Sequence, residues 1–257
     1  MRGPWRWVGG ILALAGLLYG LACAGLYLQQ RQLIYHPRPA RVDTPGIRLR
    51  VDGAELQISV LQREGPQALL YFGGNGEDVS SSLADLARWF PAHSVYAMHY
   101  RGYGLSSGEP SEIALHADAQ ALWERVRGTH DRISVMGRSL GSGVAVRLAS
   151  AQPGVERLLL VTPYDSLTAV AANAYPWVPV RFLLKDRFES VAWAPQLVMP
   201  ITVISASDDR VIPRRHTKTL VDHMPGHLLR WIEVAGAGHN DLHTRPAFVE
   251  ALKPSAL

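Results

Sequence analysis

A series of short, almost unbroken apolar runs constrains the fold of this chain more than any other feature: 68–72, 95–98, 133–136, 158–161, 201–204 and 228–234. A strand reads as a continuous apolar run only when both of its faces are buried, as in a parallel sheet covered by helices. Between most of these runs lie amphipathic stretches of helical length, at 79–90, 111–127, 140–151 and 214–223. Strand alternating with helix implies right-handed crossovers, so the expected class is α/β, a mainly parallel sheet with helices on both faces. Functional groups in such a sheet belong at the carboxyl ends of the strands. Ahead of it, 47–51 and 55–61 are strand-like and are separated by Asp52-Gly53-Ala54, an Asp-Gly hairpin signal.

The rhythm breaks once, between Val161 and Ile201, where a plain crossover needs far fewer residues. A small helical cap is expected at about 163–195. It carries Tyr175, Pro176, Trp177, Pro179, Phe182, Leu183 and Leu184. These side chains either line an acyl pocket or only seal the edge of the sheet.

The first thirty residues are of another kind. About 22 residues, 7–28, carry no charge, which at 1.5 Å per residue crosses a hydrocarbon layer of roughly 30 Å. A single-pass N-terminal transmembrane helix is expected at 1–30, then a Pro-rich juxtamembrane linker at 31–46 and a catalytic domain at 47–257. A cleaved signal peptide competes, with Arg2 and Arg6 in front, but its apolar part is normally only ~7 to 15 residues long. Arg2 and Arg6 precede the helix while Arg31, Arg38, Arg41, Arg48 and Arg50 follow it, so the side on which the domain lies stays open. The same arginines either touch anionic headgroups or form a solvated face. Membrane lipids are thus the first expected partner.

The 257 residues leave room for one domain besides the anchor, and 47% hydrophobic against 19% charged residues argues for a folded chain. A net charge of +4 with scattered basic residues makes nucleic acid a poor partner. The lone Cys23 excludes an internal disulfide. Nothing in these residues fixes an oligomeric state.

The run 133–136 leads straight into Gly137-Arg138-Ser139-Leu140-Gly141 and then a helix rich in small residues. Strand, sharp turn and helix form the context a nucleophile elbow requires, because the strained turn leaves no room for a Cβ on either side. A Ser in a Gly-rich turn is ordinarily just a turn former, so partners are needed in the chain order Ser, acid, His. His239 follows the last predicted strand, and Asp208-Asp209 follows the strand at 201–204. A base must accept the serine proton, and a carboxylate must fix the imidazole tautomer. His36, His93, His116, His130, His216, His223, His227 and His243 fall in predicted loops or on helix surfaces, where solvation explains them. His99, at a strand end, reads as a packing or turn residue. Gly73-Gly74-Asn75-Gly76 follows the strand at 68–72, so the backbone N–H groups of Asn75 and Leu140 are the expected oxyanion donors, each worth roughly 3 kcal/mol. No Lys-Ser/Thr pair follows that turn, which argues against a phosphate loop. No metal-ligand spacing such as HExxH occurs, and neither metal nor cofactor is expected.

Together these residues resemble the α/β-hydrolase superfamily, and within it the membrane-anchored Bem46 and ABHD13/ABHD17-like branch. The resemblance covers nearly the whole chain: the apolar N-terminus, Leu33-Ile34-Tyr35-His36-Pro37, Gly73-Gly74-Asn75, Tyr100-Arg101-Gly102-Tyr103-Gly104, the elbow, Asp209-Arg210-Val211-Ile212-Pro213 and Gly238-His239-Asn240-Asp241. It implies an α/β-hydrolase fold, and, since the acid of that group precedes Val-x-Pro by a fixed interval, it selects Asp209 over Asp208. Gly73 departs from the pattern, for many members carry His there. The resemblance implies hydrolysis of a carboxylic ester or thioester, on acyl lipids or acylated proteins, with Ser139, Asp209 and His239 as catalytic residues. A peptidase and a non-catalytic membrane-tethered scaffold are the rival readings.

Overall fold

The computed structural model describes residues 5–40 and 45–253. Eight strands form one sheet in the order β1-β2-β4-β3-β5-β6-β7-β8. They are β1 (Gly46–Val51), β2 (Ala54–Leu61), β3 (Gln67–Phe72), β4 (Ser94–Met98), β5 (Arg132–Arg138), β6 (Val155–Val161), β7 (Ile201–Ala206) and β8 (Leu229–Val234). Only β2 runs antiparallel to its neighbours, through the hairpin at Asp52-Gly53 and its pairing with β4. The other pairings are parallel. The expected α/β architecture, with helices on both faces, is therefore the observed one.

The apolar runs are continuous because alternate side chains enter two different cores. Leu70, Phe72, Val135 and Leu160 face one, with α3 (Glu112–Arg127), α4 (Leu140–Ala151) and α8 (Arg214–Val221) packed over them. Leu69, Tyr71, Met136 and Leu159 face the other, covered by α2 (Val79–Trp89) and α9 (Pro246–Leu252). Burying both sets is the main stabilising term, about 25 cal/mol per Å² of apolar surface.

Register decides where the strands stop. Phe72 lies beside Gly137, Arg138 beside Val161, Val161 beside Ile204, and Ala206 beside Val234. The loops that leave β3, β5, β7 and β8 therefore emerge along one edge, and every predicted site residue sits on one of them.

The segment between β6 and β7 forms α5 (Leu167–Ala174), α6 (Val180–Leu183), α7 (Ser190–Trp193) and a single 3₁₀ turn. Ser166 caps α5, accepting from the Ala169 N–H at 3.0 Å. Pro176 and Pro179 keep the next pieces short, since proline cannot continue a helix interior.

Helix α1 (Trp5–Ile34) runs past residue 30, the boundary expected for the anchor. The reason is a buried landing site. Arg31 pairs with Asp186 at 3.0 Å, and Tyr35, next in the chain, is 2% exposed. The stretch Trp7–Ile34 is long and apolar enough to cross a membrane, and its most hydropathic window is not buried against the domain.

Candidate active site

Ser139 stands between β5 and α4 with φ +50° and ψ −120°, a backbone shape that side chains other than glycine rarely adopt. Its neighbours hold it there. The Ser139 N–H donates to the Val161 carbonyl at 2.9 Å, and the Ser142 hydroxyl donates to the Ser139 carbonyl at 2.6 Å. The flanking glycines are steric necessities: a Cβ on Gly137 would strike the Gly141 carbonyl, and one on Gly141 would strike the Phe72 carbonyl. The turn thus lifts the hydroxyl over the sheet's edge at the start of a twelve-residue helix, whose free amides favour developing negative charge.

Residues a hundred positions apart meet at this hydroxyl. His239 Nε2 lies 3.0 Å from Ser139 Oγ, and its Nδ1 lies 2.8 Å from Asp209 Oδ2. The other oxygen of Asp209 accepts from the N–H groups of Val211 and Ile212 at 2.8 and 2.7 Å. Three acceptances hold one carboxylate in one orientation, aimed at the imidazole. Asp208, by contrast, only meets the Ser207 hydroxyl at 3.2 Å. Asp241 shapes the histidine loop, accepting from the Gly238 N–H at 2.6 Å.

The loop after β3 is braced from three sides. Tyr100 donates to the Gly73 carbonyl at 2.8 Å, and Tyr103 donates to the Asn75 carbonyl at 2.5 Å. Arg101 fixes the loop carrying both tyrosines through an ion pair at 2.8 Å to Asp118, a carboxylate buried on α3. Glu77 takes the Gly74 N–H at 2.9 Å and the Arg138 guanidinium at 2.9 Å. Arg138 also reaches Asn240 Oδ1 at 3.2 Å, so it joins the loop after β3 to the histidine loop across the elbow. Burial pushes the Glu77 carboxyl up, but Arg138 and the Gly74 N–H more than offset this and hold it below the usual carboxylate value.

Ser139, Leu140 and Asn75 open onto a cavity of about 370 Å³, within the ordinary range for small-molecule sites of about 300–1,000 Å³. Its walls are almost wholly apolar and come from α5, α6, the segment 211–212 and the end of α1. The cap therefore lines a pocket; it does more than seal the sheet. Tyr164 lies on the pocket floor, its hydroxyl donating to the Leu140 carbonyl at 3.2 Å.

Sequence reasoning missed three things here. Arg138 has no role in the reading of the sequence beyond its place in the elbow, although an arginine between two glycine-rich loops is itself a signal. His116, read as solvated, has its ring 5.5 Å from Phe188 and its Nε2 buried. His216 was likewise assigned to a solvated helix surface. It is 5% exposed, with Nδ1 2.9 Å from Asp165, because α8 packs that side onto β7 and α7 while Arg214, Arg215 and Lys218 face outward. His99 is a packing residue, its Nε2 2.8 Å from Ser59 Oγ.

No family model matches the chain. Over 248 residues it is 33% identical to an uncharacterized protein of Mycobacterium tuberculosis, covering 90% of this chain and 88% of that one. It is 32% identical over 191 residues to the alpha/beta hydrolase domain-containing protein aho-3 of Caenorhabditis elegans, a match that takes in 72% of this chain and 56% of the worm protein. Among solved structures, an esterase of Pyrococcus furiosus superposes with a TM-score of 0.69 at 14% identity, covering 85% of this chain and 96% of the esterase. At that identity the likeness speaks for the fold alone.

Proposed function

Because the chain belongs to the α/β-hydrolase superfamily, we propose that it is a serine hydrolase that cleaves carboxylic esters or thioesters through an acyl-enzyme. The observation that carries this reading is the unbroken line from Asp209 through His239 to Ser139, at 2.8 and 3.0 Å, ending on an apolar cavity. Ser139 Oγ attacks the acyl carbon while His239 Nε2 takes the hydroxyl proton. Asp209 holds the imidazole in the tautomer with hydrogen on Nδ1 and stabilises the imidazolium.

The carbonyl oxygen, now an oxyanion, accepts from the backbone N–H groups of Leu140 and Asn75, neither of which donates to a protein acceptor among the described residues. When the tetrahedral adduct collapses, the bond to the leaving group breaks and His239 returns its proton to the departing alcohol or thiol. Water then repeats the sequence on the acyl-Ser139 and releases the acid. In this reading α1 anchors the enzyme as a single-pass membrane helix.

Reaction with a fluorophosphonate probe tests the assignment. Wild-type protein is expected to be labelled at Ser139, and Ser139→Ala to lose both labelling and ester turnover by several orders of magnitude. Undiminished hydrolysis of short esters by that variant would reject Ser139. Absence of labelling and turnover in folded wild type would favour a binding scaffold, and matched amides beside esters separate a peptidase.

A further inference from the structure

Five residues from the last turns of α1 line the cavity: Leu26, Tyr27, Gln30, Leu33 and Ile34. The helix is fastened to the cap along this stretch. Gln30 donates to the Leu183 carbonyl at 3.2 Å and accepts from the Lys185 N–H at 2.7 Å. The Lys185 ammonium sits 4.2 Å over the Tyr27 ring, and Arg31 pairs with Asp186. At its very end, the Ile34 carbonyl accepts from the Asn75 side chain at 3.0 Å, the residue whose N–H the mechanism assigns to the oxyanion.

Farther up, the Tyr19 hydroxyl donates to the Trp177 carbonyl at 2.8 Å. Tyr19 lies about 13 Å along the axis from Leu28, the last apolar residue before Gln29 and Gln30, at 1.5 Å per residue. Charged groups of the cap therefore stand level with residues 27–31, while its tip rises beside the apolar part of the helix. Next to Leu183, at the level of Gln30, Phe182 is 85% exposed; the tip itself exposes Tyr175 and Trp177, the latter at 53%. Its exposed Arg181 has a stem long enough to carry the charge back toward headgroups.

We propose that the cap tip is seated in the leaflet beside α1, and that the pocket draws a long acyl chain directly from the bilayer. The occupant follows from continuity: a surface contiguous with a lipid-facing helix, apolar and aromatic, meets the same lipid. The substrate is then an acyl amphiphile held in the membrane, with α1 as one wall of its chain-binding site. This rests on the reading of Ser139 as nucleophile.

Two measurements on full-length protein in phosphatidylcholine vesicles test it. A nitrobenzoxadiazole dye at position 177, introduced by Trp177→Cys in a Cys23→Ser background, is expected to be quenched by lipids carrying a nitroxide on the acyl chain. Quenching by aqueous iodide instead would overturn the seating. Leu26→Trp, which narrows the pocket from the helix side, should lower turnover of a bilayer-embedded palmitoyl ester at least tenfold more than turnover of a butyrate ester; equal losses would remove α1 from the wall. Diacylglycerol and an S-acyl peptide in the vesicles distinguish lipid from protein as source of the chain. Cleavage of neither, with butyrate turnover intact, overturns the proposal while leaving the hydrolase reading standing. Loss of fluorophosphonate labelling and of butyrate turnover in wild type overturns both.

Discussion

Among the described residues, two histidine–carboxylate pairs have nearly the same geometry, and only one of them faces a serine. His239 meets Asp209 at 2.8 Å and His216 meets Asp165 at 2.9 Å, each through Nδ1. Beyond His239 Nε2 stand the Ser139 hydroxyl and a cavity. His216 Nε2 is buried with no hydrogen-bond partner among the described residues, and the hydroxyl of the next residue, Thr217, donates to the Pro163 carbonyl. A third histidine, His99, has its Nε2 on the Ser59 hydroxyl. On the proposed reading, what separates a catalytic arrangement from a packed one is the whole line of three groups and an open end.

Exchanging the two pairs' fates is the sharpest way to break this comparison. His239→Ala is expected to lower kcat by about 10⁴-fold with little change in thermal midpoint. His216→Ala should leave kcat near wild type once folded and cost roughly 3 kcal/mol of stability, because Asp165 loses its buried partner. Steady-state rates beside thermal melts decide it, and the opposite pattern would reverse the two roles. Next in size, Asp209→Asn should cut kcat by about 10³-fold or more through the wrong tautomer, while Asp208→Asn changes it little. Equal losses from the two would remove the distinction between them.

The smallest effect concerns two histidines whose charge burial suppresses. Burial holds His99 and His116 down to about 4 each. Both are neutral in the folded protein, whereas the unfolded chain takes up protons below its ordinary value of 6.5. Stability is therefore complete above that value and falls as pH drops from 6.5 toward 4, by on the order of 3 kcal/mol per group at pH 4. His116→Leu, which keeps an apolar neighbour for Phe188, should flatten part of that fall in chemical denaturation at pH 7 and pH 4. An unchanged slope would mean that His116 titrates alike in both states.

The strands, the elbow and the loops after β7 and β8 could be read from the chain because their signals are local: an apolar run of strand length, glycines where Cβ atoms cannot fit, a loop residue just past a strand end. The grip of the cap on α1 could not. Gln30 meets the backbone of Leu183 and Lys185, about 150 positions away, and main-chain groups leave no mark in a sequence. His216 was hidden for a related reason. Its neighbours in α8 are charged, and only the placement of the helix against β7 and α7 decides which of its faces is dry.

On the proposed reading, the helix that tethers this protein is also one wall of the pocket, so tether and selectivity are one unit. Replacing the first thirty-odd residues with a foreign hydrophobic segment of equal length would keep the enzyme in place and alter what it accepts.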